Sequence, residues 1–463
     1  MTGAVRVLTL VVTALVAAGC ATFPETGQLA AYDLKTGYRY ELLDAKDNTD
    51  GLFVVLTFSG GGTRAAALAY GVLEELRRTT VTAGGTPRNL LKEVDVVSSV
   101  SGGSFTAAYY ALRGDEIFEA DGRFQRNFLY RDVQADLFWR VANPYNWVRL
   151  ASPEFGRIEL ATELYQDLLF DNATFRDLER ARRKPYLMVD ATDMTKGAQF
   201  TFVQSQFDPL CADLGTVSVA RAVAASSNFP IAFTPLTLNS YPGTCRFEEP
   251  AWVKPALDSL EVNPRRYYRA RMLRSYEEPE RRYVHLLDGG IADNIGLRGP
   301  LTSIESGDVS PSILNKMNLE QITTLVVIAV DAKNSTPSDF DRSPTPPGPV
   351  DVVTAIGTVP LENYSFDTLE LLQDVLRRRD DAQRQAPDLH AVHIYRIYVG
   401  FDQIKDAAER ARFFSIKTSF DLPKADVDAL RRKGAELLRQ SPCFQALVGP
   451  APVRAAGAST LCP

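Results

Sequence analysis

Apolar residues along this chain fall into short runs that are followed by stretches with the period of a helix. Val54–Phe58 is a β-branched and aromatic run that predicts a buried strand. It stops at three glycines, after which apolar residues recur at helical spacing, at Ala65, Leu68, Ala69, Val72, Leu73 and Leu76. The same order returns at 94–112, where a strand ends in small residues and runs into a helix. The pattern predicts strands that pass through tight loops directly into helices.

Strands and helices alternate in the rest of the chain as well. Tyr283–Asp288 is a strand that closes on glycines, and Leu325–Val330 is a continuous apolar run typical of a buried parallel strand. Residues 335–350, rich in Pro, Ser and Asp, are predicted to form an exposed linker. The remaining predictions are strands at 186–189, 200–203 and 392–401 and helices at 353–379, 407–414 and 425–438.

The glycine loop at 60–62 suggests a binding site for negative charge. Such a loop leaves backbone N–H groups aimed at one point with a helix dipole behind them, which suits a bound anion or an oxyanion formed during a reaction. A phosphate-binding Walker loop needs Lys followed by Ser or Thr, and this loop has only Arg64. The loop by itself is equally compatible with a tight turn that needs positive φ.

Ser101 lies at the tip of the second strand-to-helix turn, within Ser99-Val100-Ser101-Gly102-Gly103. This is the layout of a nucleophile elbow, in which a sharp turn holds a serine hydroxyl clear of the backbone, although Ser99 stands where the usual motif has Gly. Asp288 ends the third strand, and catalytic groups of open α/β sheets gather at strand ends. An Asp-Gly-Gly sequence alone also fits an ordinary turn.

Together and in this order, the three motifs resemble the patatin-like phospholipase family. They match its glycine-rich loop at 60–64, its nucleophile elbow at 99–103 and its aspartate motif, Asp288-Gly289-Gly290, and the segments 190–197 and 225–230 are similar as well. Ala65, where many members have Gly, is a second departure. The resemblance implies a three-layer α/β/α fold with a mainly parallel central sheet and a C-terminal α/β extension packed on it.

The resemblance also implies the roles of these residues in a serine acyl hydrolase. Ser101 is the expected nucleophile and Asp288 the base of a Ser–Asp dyad, and no metal or organic cofactor is implied. The expected oxyanion hole comprises Gly60, Gly61 and Gly62, and the aspartate motif adds Gly289 and Gly290. Arg64 is expected to support the loop, with contact to a phosphate head group or a surface helix position as alternatives.

A histidine triad is the alternative to the dyad. On a regular strand His285 points away from the face that carries Asp288, which makes it a poor third member. His390 and His393 follow in the Ser…Asp…His chain order of α/β-hydrolases, so a triad through one of them stays open.

The aromatic segment 115–165 leaves two interpretations open. It is helical in character and holds Phe118, Phe124, Phe128, Tyr130, Phe138, Trp139, Tyr145 and Trp147. In a lipolytic enzyme it could form a cap that shields the cleft and touches acyl chains, and otherwise the aromatic residues are core.

The first twenty residues have the pattern of an export signal. Arg6 precedes the apolar run 7–16, which is too short to span a bilayer, and small residues stand directly before Cys20. This resembles a bacterial lipobox, so we expect a signal peptide at 1–19 and lipid attachment at Cys20; ordinary cleavage with Cys20 incidental is the alternative. Ala21 resembles the outer-membrane sorting pattern, which predicts a lipoprotein that faces the periplasm or the cell surface.

Export affects how the other four cysteines are interpreted. Cys211, Cys245, Cys443 and Cys462 are an even set that is expected to form disulfides, and of three possible pairings nearness in sequence favours Cys211 with Cys245 and Cys443 with Cys462. No Cys/His spacing suggests a metal site. The formal net charge of −6 with mixed signs argues against a nucleic-acid partner.

These observations predict a membrane-attached lipid acyl hydrolase. Residues 20–50 are expected to be a lipidated tether and lead-in, 51–335 the hydrolase core, and 336–463 an extension integral to the same domain. The expected substrates are phospholipids or related lipids. A non-enzymatic lipoprotein that binds lipid or a partner at the envelope, and a carboxylesterase of small esters, are the alternatives. The oligomeric state is left open.

Overall fold

The computed structural model describes residues 21–44, 48–230, 232–305, 322–334, 344–385, 392–449 and 461–462. The signal segment and Cys20 therefore lie outside the described residues, as do His390 and most of the predicted linker. In the part of the chain that is described, no helix is both long and apolar enough to cross a membrane.

The described strands are numbered in chain order. They are β1 (Gly27–Gln28), β2 (Leu52–Phe58), β3 (Thr80–Ala83), β4 (Thr86–Asn89), β5 (Val94–Val100), β6 (Tyr186–Asp193), β7 (Ala198–Thr201), β8 (Ala212–Asp213), β9 (Leu236–Asn239), β10 (Tyr283–Asp288), β11 (Thr324–Asp331) and β12 (His393–Gly400).

The helices are numbered in the same way. They are α1 (Gly62–Arg78), α2 (Gly102–Arg113), α3 (Val133–Ala142), α4 (Pro144–Leu150), α5 (Arg157–Tyr165), α6 (Phe175–Ala181), α7 (Gln204–Phe207), α8 (Val219–Ser226), α9 (Val253–Leu257), α10 (Pro264–Ser275), α11 (Gly290–Asp293), α12 (Arg298–Glu305), α13 (Pro349–Gln385), α14 (Ala407–Phe414), α15 (Lys424–Gln440) and α16 (Pro442–Val448).

One large sheet organises the chain, in the order β12-β11-β2-β5-β6-β10-β9, with β7 paired to β6. The five strands from β12 to β6 are mutually parallel, whereas β10, β9 and β7 pair antiparallel to their neighbours. β2 and β5 are buried along their whole length, which agrees with their continuous apolar sequences. With helices packed on the sheet, the fold is a three-layer α/β/α arrangement with a mainly parallel sheet.

The last two described strands in the chain complete this sheet, β11 from the predicted hydrolase core and β12 from the extension 336–463. β11 inserts beside β2 and β12 forms the edge strand next to it, both in parallel register. α15 lies on α1 so closely that a Cβ added at Gly434 would stand 2.4 Å from the carbonyl oxygen of Leu68. Residues from both parts of the chain therefore belong to one continuous apolar core.

Within the segment predicted as a lipidated tether and lead-in, two side chains before β2 pack into the domain. Tyr38 is buried in the main core, and its hydroxyl accepts a hydrogen bond from the N–H of Leu187 in β6. Arg39 forms a buried bidentate ion pair with Asp208. Because both side chains are fixed by distant partners, this lead-in is part of the packed domain.

Candidate active site

The glycine loop and the elbow meet at one edge of the sheet, where β2 and β5 end. Phe58 pairs with Ser99, so the residues that follow the two strands are neighbours. A Cβ added at Gly102 would lie 2.1 Å from the carbonyl oxygen of Gly62, so only glycine permits this approach. The two turns thus touch through their backbones.

Ser101 adopts the strained conformation of a nucleophile elbow. Its φ of 49° and ψ of −121° lie in a region that residues with side chains rarely occupy. The turn is fixed from outside because the N–H of Ser101 donates to Oγ of Ser226 at 2.8 Å, and this hydroxyl donates to the carbonyl oxygen of Asp190 at 2.6 Å. Ser99 fits where glycine is usual, since its hydroxyl bonds to the Met188 carbonyl oxygen on β6.

Asp288 meets Ser101 by a route that the sequence does not predict. β10 runs antiparallel to β6, so its C-terminal end would ordinarily lie at the opposite edge of the sheet from the elbow. However, β6 extends beyond β5, and β10 pairs only with this overhang, with Asp288 opposite Ala191. The sequence placed Asp288 here because catalytic groups gather at the carboxyl ends of strands in open α/β sheets. β10 is antiparallel to β6, so this reason is wrong, although the carboxyl group does lie beside the elbow.

The hydroxyl and the carboxyl group form a direct hydrogen bond. Oγ of Ser101 donates to Oδ2 of Asp288 at 3.0 Å, and Oδ1 accepts from the N–H of Gly290 at 2.8 Å. Burial raises the pKa of Asp288 to about 7, against the lowering effect of these two hydrogen bonds. Gly289 is required because a Cβ there would stand 2.1 Å from the Asp190 carbonyl oxygen.

The three loop glycines do not contribute equally. The N–H of Gly60 donates to the Asn294 carbonyl oxygen at 3.0 Å, so Gly60 cannot serve as an oxyanion donor, contrary to expectation. Among the described residues, no hydrogen bond occupies the N–H groups of Gly61 and Gly62. These two have φ values of 136° and 59°, and the loop turns into α1 at Gly62. Their N–H groups are therefore available as donors beside Ser101.

Arg64 supports the loop from within the protein. Its guanidinium donates to the carbonyl oxygens of Ala332 and Ile416 and to Oδ1 of Asn334. Burial lowers the pKa of Arg64 to about 10. Because the side chain is only 2% exposed, neither contact with a head group nor a surface position is possible. Ala65, the second departure from the family pattern, is buried in the first turn of α1.

His285 and His393 lie outside this constellation. His285 is exposed and its ring bonds to Thr237. His393 is the first residue of β12. His393 and Leu52 are both paired with Thr324 of β11, so they lie at the same end of the sheet, whereas the site lies beyond Phe58 at the other end of β2. Six residues of strand correspond to about 20 Å, so a triad through His393 is excluded. In the described part of the chain, no cluster of three or more His, Cys, Asp or Glu side chains could hold a metal ion.

Ser226, Asp190 and Asn294 were not assigned roles from the sequence. Ser226 and Asp190 lie in segments that resemble the family, and this resemblance was the sequence signal that could have identified them. Their roles depend on contacts with residues far away in sequence. Oδ1 of Asn294 would stand 2.4 Å from a Cβ added at Gly60, so this side chain fills the space beside the loop. The structure also joins Cys211 to Cys245 and Cys443 to Cys462, the pairing favoured by nearness in sequence.

Comparison with known families accounts for this arrangement. The sequence model of the patatin-like phospholipase family matches residues 56–301, which is just over half of the chain and includes all three motifs. The chain belongs to the patatin-like phospholipase family. Family membership supports lipid hydrolase activity. No curated protein matches the chain.

Solved structures with a distant likeness to this patatin-like chain are phospholipases and a bacterial protein. Human GIVD cytosolic phospholipase A2 in complex with methyl gamma-linolenyl fluorophosphonate aligns at 11% identity and a TM-score of 0.38, over 86% of this chain and 58% of the human one. VipD from Legionella pneumophila aligns at 13% identity and a TM-score of 0.31, over 90% of this chain and 71% of its own. This chain therefore spans less than two thirds of the human enzyme.

Proposed function

We propose that this protein is a serine acyl hydrolase that cleaves ester bonds of phospholipids or related lipids through a Ser101–Asp288 dyad. The observation that carries the proposal is the 3.0 Å hydrogen bond from Oγ of Ser101 to a buried carboxyl group whose pKa is raised to about 7. A base with a pKa near the working pH combines a substantial deprotonated fraction with useful proton affinity.

The mechanism uses groups of the chain and water. Oγ of Ser101 attacks the acyl carbonyl carbon while Asp288 takes the hydroxyl proton, and the N–H groups of Gly61 and Gly62 stabilise the tetrahedral oxyanion. Collapse breaks the ester C–O bond, and Asp288 returns the proton to the leaving alcohol. Water then attacks the acyl-enzyme, again with Asp288 as base, and releases the fatty acid and free Ser101.

The cellular setting is a separate part of the proposal. We infer cleavage of residues 1–19 and lipid attachment at Cys20, which would hold the enzyme at the outer membrane, facing the periplasm or the cell surface. Support comes from the apolar run 7–16 and from the small residues before Cys20. Two disulfides suit an oxidising compartment. We further propose that 51–335 and 336–463 act as one domain.

Replacement of the nucleophile tests the activity. Ser101→Ala should lower fatty-acid release from phosphatidylcholine vesicles and hydrolysis of short acyl esters by about 1000-fold or more, as in other serine hydrolases. Labelling by a fluorophosphonate should vanish in the same variant. Ser259→Ala is the matched control and should retain both signals, because the Ser259 hydroxyl donates to the Ala256 carbonyl oxygen within its own turn. Undiminished turnover in Ser101→Ala would reject the hydrolase, and absent labelling of the unmodified protein would favour a binding protein.

A further inference from the structure

Four large aromatic side chains stand in solvent on two consecutive helices. Phe138 and Trp139 on α3 and Tyr145 and Trp147 on α4 are each between 60% and 72% exposed. We call these four residues the aromatic surface. The earlier part of the 115–165 segment behaves differently, because Phe124 and Phe128 are fully buried. The aromatic residues of this segment up to Tyr130 thus pack in or against the core, whereas the four from Phe138 to Trp147 are exposed.

The backbone beneath the aromatic surface is firmly held. Val133 is buried under α3, and the side chain of Asp132 caps this helix by accepting from the N–H of Ala135. Asn146, on the inner side of α4, is buried and donates to the Arg140 carbonyl oxygen. Because this backbone is fixed, the aromatic side chains stay exposed, and each Å² of apolar surface left in water costs about 25 cal/mol of free energy. The rings of Phe138 and Trp139 contact each other, and the Trp147 indole bonds to Val141 of α3, so the exposed aromatic residues of the two helices lie close together. A group of exposed apolar side chains of this kind marks an interaction site.

The arginines on and directly beside α3 and α4 are paired within the protein. Arg131 pairs with Asp136, and Arg140 and Arg149 both pair with Glu163. Nε1 of the Trp147 indole donates to the Val141 carbonyl oxygen at 2.8 Å. A partner recognised by charge would require these ion pairs to open. Exposed tryptophan and tyrosine beside paired arginines instead have the chemistry of the membrane–water interface.

The aromatic surface lies beside the catalytic edge of the sheet. In the first turn of α3, Oε1 of Gln134 accepts from the hydroxyl of Ser419 at 3.0 Å. The carbonyl oxygen of Ser419 in turn accepts from the N–H of Thr63, directly after the glycine loop, at 2.9 Å. α3 is therefore two contacts away from the proposed oxyanion hole. A lipid surface that touched α3 would be next to the nucleophile.

The N-terminal segment reaches the protein at the same place. The hydroxyl of Ser152, two residues beyond the end of α4, donates to the Ala21 carbonyl oxygen at 2.6 Å. The proposed attachment residue, Cys20, directly precedes Ala21. An acyl anchor there would hold the bilayer against the end of α4.

We propose that the aromatic surface inserts into the interface of a zwitterionic phospholipid bilayer and presents the catalytic edge to it. This inference rests on the proposed function, because the same bilayer would supply the substrate. Insertion that depends on aromatic side chains and not on free cations should withstand high salt, which screens charge but not apolar burial.

The tryptophans provide a direct measurement. The chain has three, and Trp252 is buried, so Trp139 and Trp147 are the two exposed ones. The full-length chain carrying Ser101→Ala is mixed with phosphatidylcholine vesicles whose acyl chains are brominated, and its fluorescence is compared with that on unbrominated vesicles. We expect strong quenching that persists in high salt and disappears when Trp139→Phe and Trp147→Phe are added, leaving the signal of Trp252.

Absence of quenching in protein that sediments with the vesicles would overturn the inference, as would equal quenching without Trp139 and Trp147. Loss of quenching in high salt would overturn it too. If light scattering shows a dimer that the double variant converts to a monomer, without quenching, the aromatic surface is an interface between two copies and the inference fails.

Turnover separates this inference from the proposed function. In a chain with intact Ser101, Trp139→Ser with Trp147→Ser should lower vesicle hydrolysis by about ten-fold or more while hydrolysis of a soluble short ester is retained. Tyr268→Ala removes an exposed aromatic residue from α10 and should change neither rate. Equal loss of both rates would contradict docking. Because the quenching assay uses Ser101→Ala, its result stands even if the hydrolase proposal fails.

Discussion

At the scale of single residues, the site depends on one carboxyl group taken out of water. Asp288 is buried, and its acceptor oxygens bond to Ser101 and Gly290. Without burial, an aspartate of pKa 3.8 would hold a proton from serine too weakly to be an effective base at neutral pH. The raised pKa therefore links the packing of the site to its chemistry.

The pH dependence of turnover follows from this pKa. The base acts when deprotonated, so kcat/KM for a soluble short ester should be level above about pH 7 and fall about ten-fold per unit below it. An unshifted aspartate would give a flat profile between pH 5 and 8. Stopped assays across that range decide the matter, and a flat profile would contradict Asp288 as a base with a raised pKa.

Ser226 is a second residue whose effect is local. Its hydroxyl accepts from the strained Ser101 N–H, donates to the Asp190 carbonyl oxygen and contacts the hydroxyl of Ser104. Ser226→Ala should leave the Ser101 N–H unpaired, lower kcat about ten-fold or more with little change in KM, and cost about 1–3 kcal/mol of stability.

Ser227→Ala is the matched control for this positioning role. Ser227 directly follows α8, and its hydroxyl donates to the carbonyl oxygen of Val223 in the last turn of that helix. Its loss should leave kcat near normal. If both variants lower kcat equally, or if Ser226→Ala changes stability alone, the positioning role is refuted. Urea unfolding and steady-state kinetics on the same preparations provide the comparison.

At the scale of elements, the site is a contact between two strand-to-helix turns and one antiparallel strand. The glycine loop packs between the elbow and the segment around Ser419. β10 brings Asp288 to the elbow because it pairs with the overhang of β6. Each element thus depends on a partner far away in sequence.

Gly62 offers a test of this packing with a close control. Gly62 and Gly84 have nearly equal φ values, 59° and 56°, so alanine should cost each about 1 kcal/mol in backbone strain. A Cβ at Gly62 would also stand 2.5 Å from the Ser419 carbonyl oxygen, whereas nothing lies within 4 Å at Gly84. Gly62→Ala should therefore abolish most activity and lower stability further than Gly84→Ala. Equal effects would show that the close approach is unimportant.

At the scale of the whole molecule, β11, β12 and α15 complete the sheet and cover it. β11 is bonded to β2 on one side and to β12 on the other, and α15 covers α1. Removal of these elements would expose β2, the strand that carries the glycine loop. The main apolar core of the described residues therefore includes side chains from both sides of residue 335.

Unfolding should consequently be cooperative across residues 51–462. We expect far-UV circular dichroism, which follows the helices, and near-UV circular dichroism, which follows the packing of buried tyrosines such as Tyr38, Tyr70 and Tyr395, to give the same urea midpoint, because these residues share one core. Trp252 is not used as a probe, because it packs in a separate small cluster with Val253, Ala256 and Ala270. Two separated midpoints would show that the shared core does not unfold as one unit.

The sequence alone determined the local units and their chemistry. Apolar spacing, glycines and the small residues around Ser101 fixed two strand-to-helix turns, since the period and the backbone angles they require are local properties. Family resemblance added Asp288. Only the tertiary structure decided that β10 reaches the elbow by pairing with the overhang of β6. It also decided that the N–H of Gly60 is bonded to the carbonyl oxygen of Asn294 and that Arg64 lies inside the protein. It also separated buried Phe128 from exposed Trp139, because strand register and burial depend on distant segments that a local pattern does not encode.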